Sequence, residues 1–198
     1  MITIINYGTG NFRSVENAFK YLGEKTEVTD KPDEIEKAEK IVLIGVGSFG
    51  RAAKVLEKKK LAVPIKKAIL SGKPFLGICL GLQLLFEKSE ESPGVKGLGV
   101  FKGECLKFKN VKTPQLGWNR IKIKKKSDLF KNIPEESYFY FMHSLYVKPA
   151  QNDLISATTD YGQDYCSAVS FKNIFAVQFH PEKSGSAGLQ IFKNFINI

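Results

Sequence analysis

A cysteine between two glycines, in the stretch GKPFLGICLGLQLLFE, is the first feature of this sequence that could do chemistry. The pattern Gly77-Ile78-Cys79-Leu80-Gly81 lies where an apolar strand pattern gives way to an apolar helix pattern. Glycines two residues before and after a nucleophile permit the sharp turn of a nucleophile elbow. A helix that starts there directs backbone N–H groups at the sulfur and favours the thiolate. Taken alone, the pattern fits a reactive thiol or a small buried hydrophobic residue equally well.

The other two cysteines show no sign of reactivity. Cys105 and Cys166 lack flanking glycines and lie in strand patterns, so we interpret them as core residues. Three cysteines at wide spacings fit neither a disulfide framework nor a CxxC metal site. We therefore expect reduced thiols, and we expect neither a metal nor a cofactor.

A cysteine nucleophile needs a base, and the chain contains only two histidines. His180 follows the strand pattern IFAVQF and precedes Pro181, and Glu182 lies two residues further on, where it could orient the imidazole and stabilise its cation. His143 lies in an aromatic strand pattern with no carboxylate within five residues on either side. We predict that His180 is the base and that His143 is a packed or hydrogen-bonded histidine.

An oxyanion hole would complete such a site. The stretch LIGVGSFG, residues 43–50, places glycines on both sides of Val46 at the end of a strand pattern. Backbone N–H groups of Val46 and Gly47 could face a tetrahedral intermediate there, and the amide of Leu80, directly after the cysteine, could be a further donor. The two strands are predicted to be neighbours.

The elements that must position these residues alternate over the first 90 residues. The strand patterns are ITIIN, EKTEVTD, KIVLIGVG and PFLGI, and the helix patterns are FRSVENAFKYLG, KPDEIEKAE, GRAAKVLEKKKLAVPIKKAILSG with an interruption near Pro64, and LGLQLLFEKSEE. Such alternation predicts an α/β fold with a parallel sheet covered by helices on each face. Short β-rich segments follow and predict antiparallel or mixed extension of the same sheet, before a final helix at about 185–196. No linker or repeat divides residues 1–198, so one domain is expected.

Charge and hydropathy limit the classes of partner. The formal charge is +10 with a pI of about 9.4, but the lysine clusters at 57–60 and 122–128 lack the aromatic residues or spacing of nucleic-acid readers. We interpret them as solvated faces. No apolar run is long enough for a membrane span, and no secretory signal is visible. We expect a cytoplasmic protein with neither a nucleic-acid nor a membrane partner.

Together, these motifs resemble the class I, triad-type glutamine amidotransferases, whose fold is a three-layer α/β/α, flavodoxin-like arrangement. Within that family the chain is similar to the HisH glutaminase subunits of imidazole glycerol phosphate synthase, and the resemblance spans nearly the whole chain. The segments that carry it are INYGTGNFRSVENAF, GVGSFG, GICLGLQLLFEKSEE, PGVKGLGV, PQLGWN, YFMHSLY and QFHPEKS.

The resemblance implies a reaction and a set of roles. Cys79 would attack the side-chain amide of glutamine, His180 would pass a proton to departing ammonia, Glu182 would orient His180, and water would release glutamate from the thioester. Residues implied in glutamine binding are Gly47, Gln83, Ser144 and Leu145.

The resemblance also implies a partner, a HisF-type (β/α)₈-barrel cyclase subunit that would use the ammonia to form imidazole glycerol phosphate and AICAR. Residues that match the docking surface of the family are Asn11, Trp118, Tyr140 and Lys183. Three alternatives remain open at this point: a paralogue that supplies ammonia for amidination of surface sugars, the less well matched glutaminase of pyridoxal phosphate synthesis, and a catalytically silent α/β module with a basic surface.

Overall fold

The computed structural model describes all 198 residues and contains thirteen strands and six α-helices. The strands are β1 (Ile2–Ile5), β2 (Thr26–Thr29), β3 (Lys40–Gly45), β4 (Phe75–Cys79), β5 (Phe86–Ser89), β6 (Phe101–Lys107), β7 (Gln115–Arg120), β8 (Lys122–Ile123), β9 (Tyr138–His143), β10 (Leu145–Pro149), β11 (Ile155–Asp160), β12 (Asp164–Phe171) and β13 (Ile174–Val177). The helices are α1 (Phe12–Tyr21), α2 (Pro32–Lys37), α3 (Phe49–Lys58), α4 (Ala62–Leu70), α5 (Leu80–Gln83) and α6 (Gly185–Ile196). Three 3₁₀ turns span Asp128–Phe130, Asn152–Leu154 and Pro181–Lys183.

One large sheet organises the molecule, with strand order β2-β1-β3-β4-β13-β12-β10-β6-β5. The first five strands in this order are mutually parallel, and β12 and β10 continue the sheet in antiparallel pairings. The order of the parallel strands is that of flavodoxin-like folds, in which ligands bind beyond the carboxyl ends of the strands. The prediction of a mostly parallel central sheet with antiparallel extension is confirmed. Strands β7 and β9 form a separate antiparallel ribbon.

Helices cover both faces of the sheet and give three layers. On one face α1 and α6 pack together, with the rings of Phe19 and Phe192 4.8 Å apart. On the other face lie α2, α3 and α4. Consecutive residues of β3 contribute to opposite faces, since Leu43 packs in one apolar core and Val42 and Ile44 pack in the other. Burial on both faces explains why the central strands read as continuous apolar runs.

The helix after the cysteine is much shorter than the sequence pattern predicts. The pattern LGLQLLFEKSEE indicates a helix of about three turns, but α5 ends at Gln83 and β5 begins at Phe86. The backbone beyond α5 is held by a neighbouring loop instead, through Leu98 N to Leu84 O at 2.7 Å and Val100 N to Leu85 O at 2.9 Å. Parallel pairing of β5 with β6 therefore overrides the local helical preference. With four residues, α5 contributes only a small dipole at the sulfur.

The long helical stretch after β3 is divided earlier than predicted. The chain turns between α3 and α4 at Lys60, which has a φ of 57°. Pro64 instead lies in the first turn of α4, where a missing N–H group is tolerated. The predicted final helix agrees with α6.

The surface agrees with the interpretation of the lysine clusters. The lysines at 58–60 are exposed, and those at 122–126 are exposed or half-buried along the edge of the molecule. No α-helix combines the length and the apolar character required to cross a bilayer.

Candidate active site

Cys79 is the last residue of β4 and the residue that caps α5, so it lies at the turn between strand and helix. Its backbone adopts φ 53° and ψ −107°, a conformation that non-glycine residues rarely adopt. Strain of this kind persists only where the surrounding structure enforces it, and it clusters at functional sites. The sharp strand-to-helix turn that the glycine pattern predicts at Cys79 is therefore present in the structure.

The two flanking glycines are required by contacts with the backbone. A Cβ at Gly81 would lie 1.9 Å from the carbonyl oxygen of Leu43 on β3, and a Cβ at Gly77 would lie 2.9 Å from the carbonyl oxygen of Gly81. Neither contact is sterically possible without a shift of the main chain. The glycines thus allow the turn to pack tightly against the next strand, where Gly45 pairs with Cys79.

His180 and Glu182 form a buried pair beside this turn. Nδ1 of His180 donates a hydrogen bond to Oε1 of Glu182 over 2.7 Å, and the two side chains are 1% and 0% exposed. Strand β13 runs parallel to β4, and Val177 pairs with Ile78, so both chains leave the sheet at the same edge. Tyr140 holds the segment in place, because its carbonyl oxygen accepts a 2.8 Å hydrogen bond from His180 N. The structure brings together Cys79, His180 and Glu182.

The electrostatics favour a charged imidazole. Burial opposes the charge on His180, but interactions with the Cys79 thiol and the Glu182 carboxylate outweigh burial and raise its pKa to about 10. Nε2 of His180 is buried and makes no hydrogen bond of normal geometry with any other protein group. The charge on His180 thus lies beside the sulfur of Cys79.

A cavity of about 230 Å³ opens above the sulfur. Its lining includes the thiol and every residue that the sequence analysis assigned to the oxyanion hole and to glutamine binding: Val46, Gly47, Leu80, Gln83, Ser144 and Leu145. Gly47 has a φ of +97°, which a residue with a side chain rarely adopts. A larger depression of about 690 Å³ elsewhere is lined by Lys124, Lys125 and Lys126 and contains neither a cysteine nor a histidine.

Two further residues belong to the site and were not predicted. The Glu91 carboxylate lines the cavity and accepts a 2.7 Å hydrogen bond from Phe49 N at the start of α3. Gln178 is fully buried, and its Nε2 lies 3.5 Å from the sulfur of Cys79. Glu91 follows several other charged residues in a polar stretch, and Gln178 occupies an ordinary position after a strand. Only the fold therefore distinguishes them.

The end of β3, directly before Val46, packs against a buried tyrosine. A Cβ at Gly45 would lie 1.9 Å from the Tyr7 hydroxyl and 3.2 Å from Cβ of Leu80. The glycine that precedes Val46 is therefore fixed by packing against the loop after β1. Burial raises the pKa of Tyr7 to about 12, so this hydroxyl stays neutral at physiological pH.

His143 lies in the wall of the cavity and is held as a neutral residue. Its Nδ1 donates to the Leu145 carbonyl oxygen over 2.7 Å, and its Nε2 lies 3.2 Å from the Tyr165 hydroxyl. That hydroxyl also lies 2.8 Å from the side-chain amide of Gln115. Burial lowers the pKa of His143 to about 4. The predicted packed, hydrogen-bonded histidine is confirmed, and it anchors the loop that contains Ser144.

This lowered pKa predicts acid sensitivity. The folded chain binds a proton at His143 less readily than the unfolded chain does, so this contribution to stability is complete above about pH 6.5 and is lost as the pH falls toward 4. We expect the unfolding free energy to fall by roughly 3 kcal/mol at most over that range on this account. Urea titrations at several pH values test this. A His143→Asn variant should show a shallower slope; an equal slope would contradict the assignment.

The other two cysteines are buried core residues, as predicted. Cys105 Sγ faces the Gln83 carbonyl oxygen, and burial raises the pKa of its thiol well above the ordinary value. Burial raises the pKa of Cys166 to about 12. Both therefore stay protonated and unreactive at neutral pH, and none of the three cysteines forms a disulfide bond.

Three of the four residues that match the docking surface of the family lie close together, two on the ribbon of β7 and β9 and one on the adjacent 3₁₀ turn. The rings of Trp118 and Tyr140 are 6.1 Å apart, and Nζ of Lys183 lies 5.7 Å from the centre of the Tyr140 ring. Trp118 is 56% exposed, so a large aromatic surface faces solvent when no partner protein is bound. Asn11 is exposed and caps α1, which packs against the 3₁₀ turn of Lys183.

Comparisons with known proteins agree with this geometry. The family model "Glutamine amidotransferase class-I" matches residues 3–198. The chain is 52% identical to the imidazole glycerol phosphate synthase subunit HisH of Pyrococcus furiosus, over 98% of this chain and 97% of that protein. It is 46% identical to the HisH subunit of Chlorobaculum tepidum, over 98% of each chain, and 48% identical to that of Methanocaldococcus jannaschii, over 100% of each.

Solved structures support the fold. A structure described as a glutamine amidotransferase has a TM-score of 0.79 at 17% identity and covers 99% of this chain and 97% of its own. PurLQS from Thermotoga maritima gives a TM-score of 0.76 at 21% identity, with coverage of 99% and 97%. The full-length family match and the close HisH relatives lead to one conclusion: this chain belongs to the class I glutamine amidotransferase family, among its HisH members.

Proposed function

We propose that this chain is the glutaminase subunit of an imidazole glycerol phosphate synthase, and that residues 1–198 act as one catalytic unit in the cytoplasm. One observation carries the proposal: a strained cysteine and a buried His180–Glu182 pair leave neighbouring parallel strands at the same edge of the sheet. The arrangement suits acyl transfer from an amide, because it provides a thiolate nucleophile and a proton donor for the leaving amine.

In the proposed reaction, the Cys79 thiolate attacks the side-chain carbonyl carbon of glutamine. Backbone N–H groups of Gly47 and Leu80 stabilise the oxyanion of the tetrahedral intermediate. The imidazolium of His180 gives its proton to the departing nitrogen, and ammonia leaves with formation of a γ-glutamyl thioester. Neutral His180 then takes a proton from the attacking water, and collapse of the second intermediate releases glutamate and regenerates the thiolate. Glu182 fixes the ring and stabilises its charge throughout.

The cavity has the size and polarity of a site for a single amino acid. Glutamine carries an ammonium group and a carboxylate, and Glu91 provides a carboxylate in the wall that suits the ammonium group. Gln83 and the backbone at Ser144 and Leu145 would bind the polar ends of the substrate. Gln83 is already fixed by a 3.3 Å hydrogen bond from its Nε2 to the Leu145 carbonyl oxygen.

The ammonia would pass to a HisF-type (β/α)₈-barrel subunit that docks on the exposed ribbon. Support comes from the exposed Trp118–Tyr140 pair and from the backbone link between Tyr140 and His180. The docking surface and the base are thus separated by one hydrogen bond.

An assay of glutamate and ammonia release, with and without the barrel subunit and its nucleotide ligand, tests this proposal. We expect hydrolysis of glutamine and its stimulation by the complex. Trp118→Ala should weaken binding of the barrel by about tenfold or more, because a central tryptophan often dominates an interface. Tyr21→Ala, which removes another exposed aromatic residue, should leave binding unchanged. Absence of hydrolysis under all conditions would refute the function; equal binding by both variants would refute the docking surface.

A further inference from the structure

Gln178 occupies a position that the proposed reaction does not yet use. It directly follows β13 and is 0% exposed, two residues before His180. Its backbone is fixed by a 2.8 Å hydrogen bond from its N to the Ser167 carbonyl oxygen. Burial of a primary amide is costly unless its N–H groups and oxygen find partners. The hydrogen-bond partners of the Gln178 amide therefore indicate its role.

The orientation of the Gln178 amide is set by a neighbouring glutamine. Nε2 of Gln83 donates to the Leu145 carbonyl oxygen, which can only accept a hydrogen bond, so the nitrogen of Gln83 is identified. The same nitrogen lies 3.1 Å from Oε1 of Gln178. The oxygen of Gln178 must therefore face Gln83, and its amide nitrogen must face the sulfur of Cys79 at 3.5 Å.

The contact between the Gln178 amide nitrogen and the sulfur distinguishes a catalytic role from a purely structural one. A neutral thiol is a weak acceptor and compensates poorly for a buried N–H group, whereas a thiolate is a strong one. The Met142 carbonyl oxygen, 3.9 Å from the sulfur, can only accept a hydrogen bond, whereas the His180 imidazolium and the Gln178 amide can both donate one to the sulfur. The Gln178 amide is thus a neutral donor directed at the reacting atom.

We propose that Gln178 is a catalytic residue, which donates a hydrogen bond to the Cys79 thiolate and couples the nucleophile to Gln83 in the glutamine cavity. This inference rests on the proposed function, since it assigns a further residue to that site. The side chain stabilises the thiolate before attack, and its oxygen keeps Gln83 in position to hold the substrate.

Two substitutions distinguish the hydrogen bond to the sulfur from the contact with Gln83. Gln178→Glu keeps the shape and the oxygen that faces Gln83 but replaces the donor with an oxygen beside the sulfur. We expect a fall in kcat of roughly tenfold or more with little change in KM, because a hydrogen bond to a charged group is lost. Gln178→Leu removes both contacts, so KM should also rise. The matched control is Gln151→Glu at an exposed glutamine, which should change neither value.

Alkylation of Cys79 by iodoacetamide provides a readout that needs no glutamine turnover. At pH 7 we expect the rate to fall by roughly tenfold in Gln178→Glu relative to the wild type. A folded Gln178→Glu protein with alkylation and kcat within twofold of the wild type overturns the proposal.

If neither variant folds, the ¹⁵N side-chain amide signal of Gln178 in the wild type decides. This signal should titrate together with the ultraviolet absorbance of the Cys79 thiolate, and a signal that does not move with pH overturns the proposal. Failure of the wild type to hydrolyse glutamine would refute the function but leave the alkylation comparison valid.

Discussion

Replacement of Cys79 by serine is expected to abolish glutamine hydrolysis, with kcat lowered by ~10³-fold or more. A serine hydroxyl is far harder to ionise than a thiol, and the charged imidazole of the neighbouring His180–Glu182 pair suits a thiolate. The same change removes an interaction that raises the pKa of His180, so that pKa should fall toward its ordinary value. Release of glutamate measures the first effect, and an NMR titration of the imidazole measures the second.

The control for this variant is Cys166, one of the two other buried cysteines, which lies outside the cavity. Cys166→Ala should keep the glutaminase rate while it lowers stability slightly, because it leaves a small void in the core. In the complex with the barrel subunit, added ammonia should restore synthesis to the Cys79→Ser protein. Retention of more than a tenth of the hydrolysis rate by Cys79→Ser would contradict the assignment of the nucleophile.

The second large effect is expected from one methyl group at Gly81. A Cβ there would lie 1.9 Å from the Leu43 carbonyl oxygen, and both partners belong to the backbone, so one strand or the elbow must move. We expect Gly81→Ala to lower kcat by about 10²-fold, since displacement of a nucleophile by about 1 Å has effects of this size. The unfolding free energy should fall by roughly 1–3 kcal/mol. Steady-state kinetics and urea unfolding measure the two quantities.

Gly23 provides the comparison at the end of α1. A Cβ there would meet no atom within 4 Å, although its φ of +81° makes alanine somewhat strained. Gly23→Ala should therefore cost about 1 kcal/mol of stability and leave kcat unchanged. Gly77→Ala, with its closest contact at 2.9 Å, should fall between the two. A Gly81→Ala protein as active as Gly23→Ala would show that the elbow tolerates movement.

The turn at Cys79 and the parallel core could be predicted because their requirements are local. Glycines on both sides of Cys79 favour a tight strand-to-helix turn, and unbroken apolar strands favour a sheet that is buried on both faces. The length of α5 could not be predicted, because Leu84 and Leu85 fit a helix equally well until the segment 97–101 binds their backbone. In the same way, the division of YFMHSLY between β9 and β10 depends on Ser144 lying between a separate ribbon and the main sheet.

The residues that support the site could not be predicted from the sequence, for a related reason. Gln178 lies 99 positions from Cys79 in the chain, and Glu91 contacts Phe49, 42 positions before it. Both residues gain significance only from atoms that the fold brings near them. The roles of Gln83 and Leu145 came from the family resemblance and from no pattern in the residues themselves. Residues that position others carry little local signature, since their environment is created by tertiary structure.

The position of β13 has a consequence for the newly made polypeptide. This strand lies between β4 and β12 in the middle of the sheet, and its first residue, Ile174, pairs with Phe75. Contacts between such distant segments form late, because a long loop must first close. Until β13 and the residues after it have been synthesised, the cysteine of the nascent chain therefore lacks His180 beside it. If His180 acts as proposed, ammonia release is expected only after β13 has been synthesised and has paired with β4 and β12.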